Sequence, residues 1–325
     1  MTRTTKKIIK LSTAAILCIT LCCTMCACGN TNSGRSSAGG NSRFKIVTTI
    51  FPQYDFARSI AGKNADVSML LPPGAEIHSY EPTPVDIRTI QSSDLFIYTG
   101  GENDKWVSDI LNSMGSEAPA ALELINCVST VKEEQAAGMQ PEGITSGGSS
   151  DIDEHVWTSP KNAVIITKKI AAEMERLDPQ DAAAFRSNAA AYEKQLQALD
   201  DSYTRTLSSA SHHTIVVGDR FPFRYLAMDY GLKYYAAFPG CSSATEPNAA
   251  TIAFLTKKVK EKDIPVIFYT EMSSHKVADV IAEDTGAKEM LLHSCHNVSK
   301  KEIKEGATYL SLMEQNLKNL KKALN

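Results

Sequence analysis

Short apolar runs alternate with helical patterns along most of the chain, and they fall into two sets. The first set occupies residues 44–50, 66–71, 94–100 and 123–128, and the second occupies residues 213–218, 232–238, 264–270 and 289–293. Apolar runs of this length, separated by stretches of helical periodicity, are typical of buried strands in βα units. The pattern therefore predicts an α/β fold of two βα lobes with parallel-type sheets.

One helical pattern is much longer than the others. From Asp178 to about Ser209 the chain is rich in Ala, Leu, Gln and Glu, and it has no Gly and no Pro after Pro179. Proline is well suited to the first position of a helix, so the pattern predicts one helix of about 45 Å at 1.5 Å per residue. Such a helix would join the two lobes as a rigid strut.

These elements divide the folded part of the chain. We predict a first lobe at 43–177, a linking helix at 178–210 and a second lobe at 211–325. Together they hold roughly 280 residues, more than a single hydrophobic core usually serves, which agrees with two lobes. Residues 138–150 combine Gly, Pro and Ser without periodicity and are predicted to form a loop inside the first lobe.

The N-terminus has the pattern of an export signal. Four basic residues, Arg3, Lys6, Lys7 and Lys10, precede an apolar stretch from Leu11 to Met25 that is too short to span a bilayer comfortably. We predict a signal peptide at 1–27. Residues 28–42 are mainly Asn, Ser and Gly, a composition typical of a flexible tether.

The end of the apolar stretch resembles a bacterial lipobox, in which a small residue precedes a cysteine that is acylated and becomes the new N-terminus. Ala27 and Cys28 stand in this order, followed by Gly29. The resemblance implies that Cys28 anchors the protein to the extracytoplasmic face of a bacterial membrane. The alternative is a cysteine-rich apolar region that is cleaved elsewhere, because Cys18, Cys22 and Cys23 crowd the same stretch.

Charge and cysteine content narrow the possible functions. Removal of residues 1–27 takes away four basic and no acidic residues and changes the formal net charge from −3 to −7, which does not favour binding to nucleic acid. Three cysteines, Cys127, Cys241 and Cys295, remain in the folded part. An exported location permits one disulfide among them.

Two of the seven histidines lie where α/β proteins bind ligands. His78 and His155 both follow predicted strands and precede predicted helices, which begin near Thr83 and Ser159. This is the rim at which open α/β sheets bind ligands. Taken singly, each is better explained as a solvent-exposed loop histidine. The patterns around His212, His213 and His275 indicate surface residues.

Longer segments around these histidines resemble a known family. "PGAEIHSYEPTPVDIRTIQSSDLFIYTGGENDKWV" and "DEHVWTSPKNA" are similar to the two signature segments of metal-binding lipoproteins that feed ABC importers of zinc or manganese. The similarity continues through the long helix, "YGL" at 230–232 and "FYTEMSS" at 268–274. It implies a metal site in the cleft between the lobes, a permease as partner, and His78 and His155 as ligands.

The second lobe departs from the family pattern at both of its ligand positions. The third ligand of the family is a His or Glu early in this lobe, but the chain has Gly218 where the histidine is usual, followed by Asp219. The resemblance therefore points to Asp219, whose alternative role is to cap a helix or pair with Arg220. At the fourth position, where the family has an acidic residue, the chain has His293.

The predicted ligand set favours zinc. Three imidazoles and one carboxylate suit tetrahedral Zn²⁺ better than the oxygen-rich shells that Mn²⁺ prefers. Zinc members of the family often carry a His-rich loop near residues 138–150, which has no histidine here, so Mn²⁺ remains the alternative cargo.

Other residues near the predicted site have supporting roles. Cys241 and Cys295 are predicted to lie at one rim of the second lobe and to form a disulfide, leaving Cys127 as a free thiol; the alternative makes Cys295 a thiolate ligand. Ser299 and Glu302 form a capping box for the last helix. Glu271 is predicted to orient a ligand imidazole, and His296 is the reserve ligand.

Two functions from different classes agree with these features. In the first, the protein is a monomeric extracytoplasmic binding lipoprotein that captures a divalent metal ion and delivers it to an ABC permease. In the second, it is an exported zinc hydrolase, which would need an open coordination position and a general base beside the metal-bound water. The sequence has no motif for such a base, so we predict no catalytic residues. An adhesin role would leave no sequence signature.

Overall fold

The computed structural model describes residues 43–76, 80–139, 152–242 and 247–325, and the statements below refer to these ranges. The predicted signal peptide, the tether with Cys28, and the predicted ligand His78 lie outside the described residues. Within the described ranges, no helix is both long enough and apolar enough to cross a membrane.

A parallel four-stranded sheet forms the centre of the first lobe. Its strands are β1 (Phe44–Thr48), β2 (Ala65–Met69), β3 (Leu95–Tyr98) and β4 (Ala120–Glu123), in the order β2-β1-β3-β4. The helices that connect them are α1 (Phe51–Ala61), α2 (Pro84–Gln91) and α3 (Lys105–Met114). Because β1 and β3 are neighbours whose connections run to opposite sides, a crevice opens beyond their carboxyl ends, where ligands of open α/β sheets bind.

The second lobe repeats this arrangement. Its strands are β5 (Thr214–Phe221), β6 (Lys233–Pro239), β7 (Val266–Tyr269) and β8 (Lys288–Leu291), all parallel, in the order β6-β5-β7-β8. The helices of this part of the chain are α6 (Arg224–Tyr230), α7 (Ala249–Glu261), α8 (Lys276–Thr285), α9 (Lys300–Lys304) and α10 (Tyr309–Leu324). The two sheets confirm the predicted α/β fold of two parallel-sheet lobes.

Two consecutive helices join the sheets, α4 (Pro160–Leu177) and α5 (Ala182–Ser208). The first begins as predicted, because Ser159 Oγ accepts a hydrogen bond from Asn162 N at 3.3 Å and Pro160 occupies the first turn. The predicted long helix is α5, but its predicted start at Asp178 was wrong. Pro179 and Gln180 form a turn instead, in which Gln180 N donates to Asp178 Oδ1 at 3.3 Å, and the helix begins after Asp181.

The boundaries of two predicted strands were also wrong. The run at 123–128 was predicted to be a strand, but β4 ends at Glu123 and Leu124–Cys127 form a 3₁₀ turn. Strand β5 was predicted to end at residue 218, but it continues to Phe221, with an irregularity in its pairing with β6 between Val217 and Arg220. As a consequence, Asp219 lies within a strand and not in a loop.

A continuous hydrophobic core connects the lobes through α5. The buried residues of this helix recur at spacings of three and four and form one apolar face; they are Phe185, Ala189, Tyr192, Leu196, Leu199, Tyr203 and Leu207. The same core includes Ile97 of the first sheet and Phe268 of the second. The predicted boundaries at residues 177 and 210 therefore divide the chain between two sheets that share one hydrophobic core.

Candidate metal site

His155 is the best-defined ligand candidate in the structure. It lies directly before the 3₁₀ turn Val156–Thr158 and is fully buried. Its Nδ1 lies 2.8 Å from Asp153 Oδ1, and its backbone N donates to the same oxygen at 2.9 Å. Its Nε2 is buried and has no hydrogen-bond partner among the described residues. A carboxylate that fixes one ring nitrogen and leaves the other available is the usual support of a metal-binding histidine.

The surroundings of His155 also set its protonation. Burial alone would lower the pKa of its imidazole, but the charge and the hydrogen bond of Asp153 outweigh burial and raise the pKa above its ordinary value. Because a metal ion binds neutral imidazole, it has to displace a proton from Nε2. The site therefore favours metal binding as the pH rises.

Glu154 and Cys241 lie beside His155. One ligand-type atom from each of these three residues lies within 4.8 Å of the other two, and no other such group of His, Cys, Asp and Glu occurs among the described residues. Asn103 holds the Glu154 carboxylate through its side-chain amide and through its backbone N, at 3.3 Å from Oε2. Gly101 leaves room for this carboxylate, because a Cβ at position 101 would lie 2.5 Å from Glu154 Oε2.

Burial opposes the charged forms of the acidic groups here. Burial, followed by the charge of Glu154, raises the pKa of Asp104 to about 7. Burial also raises the pKa of Glu154, and burial together with the Glu154 charge raises the pKa of the Cys241 thiol well above its ordinary value. These shifts indicate an excess of negative charge in a region of low polarity, which a cation would relieve.

Gly240 allows the end of β6 to pass close to the histidine. A Cβ at this position would lie 2.9 Å from His155 Cε1 and 3.0 Å from the backbone oxygen of Phe221. A side chain at position 240 would therefore push the imidazole from its position against Asp153.

The second lobe contributes His296 to the same place. The ring centroid of His296 lies 4.7 Å from that of His155 and 4.9 Å from that of Trp157, edge to face in both cases. His296 belongs to the loop 294–298, which follows β8. The structure thus brings together one predicted ligand and the predicted reserve ligand.

Glu271 holds the loop that carries His296. Its carboxylate accepts hydrogen bonds from Ser294 N at 2.6 Å, from the Ser294 hydroxyl and from His296 N at 3.2 Å. It therefore fixes the backbone on both sides of Cys295. Glu271 was predicted to orient a ligand imidazole; its carboxylate holds the loop backbone, and its Oε1 also lies 3.5 Å from His293 Nδ1.

A small cavity of about 40 Å³ lies between the lobes. Its lining includes His296, Glu271, Glu76, Arg220, Asn297 and Gly240. A space of this size holds an ion with a water molecule and is too small for an organic ligand of ordinary size.

The structure places the predicted ligand His293 elsewhere. Its Nδ1 accepts a hydrogen bond from Cys295 N at 2.9 Å, and its Nε2 lies 3.5 Å from Glu302 Oε1. Its Nε2, like that of His155, is buried without a hydrogen-bond partner among the described residues, and its Nδ1 also lies 3.5 Å from Glu271 Oε1. Neither His293 nor His296 belongs to the group of ligand-type residues around His155, but the His296 ring lies against the His155 ring and lines the cavity.

Asp219 is likewise not brought to His155. Its Oδ2 accepts a hydrogen bond from Thr270 Oγ1 at 2.8 Å, and its Oδ1 accepts from Arg220 N at 2.8 Å. These contacts tie the end of β5 to the end of β7. The neighbouring Arg220 side chain points to the cavity and lies 3.7 Å from Glu76 across the cleft.

The predicted disulfide between Cys241 and Cys295 is contradicted by the structure, in which both are free thiols, as is Cys127. Cys295 has a positive φ of 63° and is fully buried, next to His293 and within the core that contains Tyr203 and Tyr309. The prediction assumed an extended chain in which residues two apart share a face. The left-handed turn at Cys295 breaks that alternation and directs its thiol inward, away from the Glu154–Cys241 side.

Sequence reasoning missed Asp153 and Glu154 as neighbours of the site, and it placed Cys241 near the site only as a disulfide partner of Cys295. The run "DIDEH" at 151–155 was an available signal, because acidic residues next to a buried histidine either orient it or share its ligand. The approach of Cys241 could not be read from the sequence, since it depends on the contact between Gly240 and His155.

Comparison with known proteins gives consistent matches. A family model described as "ZnuA: Zinc-uptake complex component A periplasmic" matches residues 46–323. The high-affinity zinc uptake system protein ZnuA of Bacillus subtilis is 34% identical over 298 residues, which cover 92% of this chain and 93% of that protein.

Two streptococcal proteins extend the comparison. The zinc-binding lipoprotein AdcA of Streptococcus pneumoniae is 33% identical over 309 residues, 94% of this chain but 60% of AdcA. The solved Zn(II)-bound ZnuA-like domain of AdcA superimposes with a TM-score of 0.73 at 32% identity and covers 87% of this chain and 99% of the domain. The laminin binding protein of Streptococcus agalactiae, described as having adhesin and metal transporting activity, has a TM-score of 0.74 at 27% identity, covering 87% of this chain and 100% of that one.

Proposed function

The chain belongs to the ZnuA family of zinc-uptake components, and on this premise we propose that it captures Zn²⁺ outside the cytoplasm and delivers it to an ABC permease. The family consists of binding components of transport systems and not of enzymes, so the alternative of an exported zinc hydrolase has no support from the relatives. The zinc-bound state of the AdcA domain supports zinc, and not manganese, as the cargo.

The observation that carries the proposal is His155. It is fully buried, Asp153 holds its Nδ1, and its Nε2 has no hydrogen-bond partner among the described residues. A buried imidazole nitrogen without a partner costs free energy unless something binds it. A metal ion is the ligand that fits both this nitrogen and the surplus of acidic groups around it.

The proposed ligand set combines both lobes. His78, which the family resemblance indicates, and His155 belong to the first lobe. From the second lobe we assign His296, because it lies against His155, in the place that the resemblance gave to His293. Glu271 positions His296 through the loop backbone. Imidazole ligands suit Zn²⁺ better than Mn²⁺.

Lipid anchoring through Cys28 and action as a monomer complete the proposal. The relative AdcA is named a lipoprotein, which supports the anchor. A lipid anchor would keep the protein at the outer face of the membrane, close to the permease that receives the metal. Mass spectrometry of the membrane-bound protein should find an acylated N-terminal cysteine at position 28, and a protein that retains residues 1–27 would contradict this assignment.

Metal binding by purified protein tests the central claim. Metal-free protein should bind one Zn²⁺ in a chelator competition assay and should prefer it to Mn²⁺. His155→Ala should lower the affinity by at least about tenfold to a hundredfold, because it removes the best-supported ligand. His212→Ala, a change of an exposed histidine that precedes β5, is the matched control. Equal affinities in wild type and His155→Ala would refute the site.

Delivery is tested in cells. A strain that lacks the protein should take up zinc poorly from zinc-limited medium. Wild-type protein should restore uptake, and His155→Ala should not, although both should be present at the membrane in equal amounts. Full restoration of zinc uptake by His155→Ala would show that uptake does not depend on this site.

A further inference from the structure

The group formed by Glu154, His155 and Cys241 contains a residue type that the ligand set above does not use. The thiol of Cys241 lies immediately after Gly240, at the end of β6, and is within 4.8 Å of ligand-type atoms of both other residues. It reaches this position only because Gly240 lets the chain approach His155.

The position of Cys241 is fixed by the protein. Its backbone N donates to Glu133 Oε1 at 2.7 Å. The backbone of Cys241 is thus fixed, and its sulfur lies within 4.8 Å of a ring nitrogen of His155. The thiolate is the form of cysteine that binds metals.

Resting on the proposed function, we propose that Cys241 binds the same metal ion as His155, as a thiolate, with the Glu154 carboxylate as the third member of the group. On binding, the Cys241 S–H bond breaks, a sulfur–metal bond forms and the proton passes to solvent. No electron is transferred and no oxidant is needed. One thiolate and one carboxylate together neutralise the two positive charges of the ion, which removes the charge imbalance of this buried region.

A thiolate ligand has a consequence for selectivity. Soft sulfur favours Zn²⁺, Co²⁺ and Cd²⁺ over Mn²⁺, which prefers oxygen ligands. Cys241 would thus be the residue that excludes manganese. Cys241→Ser should therefore lower the ratio of Zn²⁺ affinity to Mn²⁺ affinity by at least about tenfold, a modest effect for the loss of one ligand.

Cobalt substitution gives a direct test. Metal-free, reduced protein is titrated with Co²⁺, which occupies zinc sites and shows a near-ultraviolet charge-transfer band only when a thiolate binds it. Wild type and Cys127→Ser should show the band, and Cys241→Ser should lose it. Cys127 is the matched control because it is also a free cysteine but lies in the 3₁₀ turn that follows β4.

The outcomes separate this inference from the proposed function. If wild type binds Co²⁺ and Zn²⁺ without the charge-transfer band, or if Cys241→Ser keeps the band, the thiolate is absent and the inference is overturned while the proposed function stands. If wild type binds no metal, both fail. Should Cys241→Ser not fold, alkylation of the wild type decides: Zn²⁺ should protect Cys241 from iodoacetamide, and equal labelling with and without Zn²⁺ would overturn the inference.

Discussion

At the scale of single residues, Asp153 is the residue on which the availability of His155 depends. Asp153→Asn keeps the size of the side chain and an oxygen that can accept from the backbone of His155, but it removes the charge that orients the imidazole. We expect zinc affinity to fall about tenfold to a hundredfold, as for other carboxylates behind a ligand histidine. Asp66→Asn, in an exposed ion pair with Arg43, is the control and should leave affinity unchanged.

Zinc affinity and thermal stability, measured together, show how Asp153 acts. If its role were purely structural, Asp153→Asn would have a lower melting temperature and an unchanged zinc dissociation constant. We expect the opposite result, with a large change in the dissociation constant and a small change in the melting temperature of the metal-free protein.

Two glycines offer a matched pair of substitutions. Neither has a positive φ, and a Cβ at either would lie 2.9 Å from its nearest neighbour, which is His155 for Gly240 and the backbone N of Ala278 for Gly218. Gly240→Ala should weaken zinc binding by at least about tenfold because it displaces a ligand. Gly218→Ala should cost about 1–3 kcal/mol of unfolding free energy through overpacking against α8 and leave zinc binding intact.

Chelator competition and urea unfolding of both variants check this prediction. Equal loss of zinc affinity in both would show that the effect is general destabilisation. The contact at Gly218 also explains a departure of the sequence from the family pattern, because the close packing of β5 on α8 leaves no space for a histidine side chain there.

The site shows where sequence reasoning stops at this scale. The family resemblance identified His155 and its loop, which the structure supports with a carboxylate partner. It selected His293 over His296, because the choice depends on the turn at Cys295, whose φ of 63° is uncommon for a residue with a side chain. As a result, His296 lines the cavity, whereas His293, three residues earlier, is buried next to the core.

At the scale of elements, the apolar pattern predicted seven of the eight strands and the strut, overlapped β4 at Glu123 alone, and placed several helix starts correctly. The cap at Thr83, for example, is a capping box in which Asp86 N donates to Thr83 Oγ1 at 3.3 Å. The errors arose where tertiary contacts determine the secondary structure. The apolar residues at 124–127 pack against the core from a 3₁₀ turn, so their hydrophobicity alone did not distinguish a turn from a strand.

Helix α9 links the capping box of Ser299 and Glu302 to the buried His293. Ser299 Oγ accepts from Glu302 N at 3.1 Å, and the Glu302 carboxylate accepts from Ser299 N at 2.7 Å, as the sequence predicted. The interaction with His293 lowers the pKa of Glu302 from 4.5 to about 2. Burial alone would lower the pKa of His293, but the charge of Glu271 and hydrogen bonds raise it well above 6.5.

The signs of these two shifts define a pH window. A lowered carboxyl pKa stabilises the fold fully above 4.5, and this contribution is lost as the pH falls through about 2. A raised histidine pKa stabilises the fold fully below 6.5 and is lost as the pH rises through the raised value. Together they contribute most between 4.5 and 6.5.

Glu302→Gln tests the contribution of the pair. Glutamine keeps the capping hydrogen bonds but not the charge. In denaturant unfolding of metal-free protein, the variant should be less stable than wild type between pH 4.5 and 6.5, and the difference should shrink as the pH falls towards about 2. Glu305→Gln, an exposed change just after the same helix, should leave the pH profile of wild type unchanged. A constant difference at every pH would argue against the ion pair.

At the scale of the whole molecule, the lobes are held together in two ways. Helix α5 has 27 residues, no Gly or Pro, and one buried face, so it provides no hinge. In addition, the loop 294–298 of the second lobe is hydrogen-bonded to the first. Asn297 Nδ2 donates to the backbone oxygens of Pro72 and Ala75 at 2.8 and 2.9 Å, and Trp157 Nε1 donates to the oxygen of Ser294 at 2.9 Å.

These connections argue against a wide opening of the cleft as the route of metal release. Separation of the lobes would expose part of the continuous core and break the hydrogen bonds of the loop 294–298, whereas rearrangement of that loop alone breaks only a few of them. Small-angle scattering of the protein with and without Zn²⁺ should therefore show no rigid-body swing larger than a few ångströms. A larger change would contradict the role of α5 as a strut.

Asn297→Asp tests the local alternative directly. The substitution keeps the size of the side chain, removes the two hydrogen bonds to the first lobe and places a carboxylate against carbonyl oxygens, which repels the loop. Because His296 is the adjacent residue, we expect faster zinc release, measured by stopped-flow transfer to a chelator, with scattering curves identical to those of wild type. An unchanged release rate would show that the loop 294–298 does not control exit. Faster release together with an expanded scattering profile would show instead that these hydrogen bonds hold the lobes closed, and that release proceeds through the opening of the whole molecule.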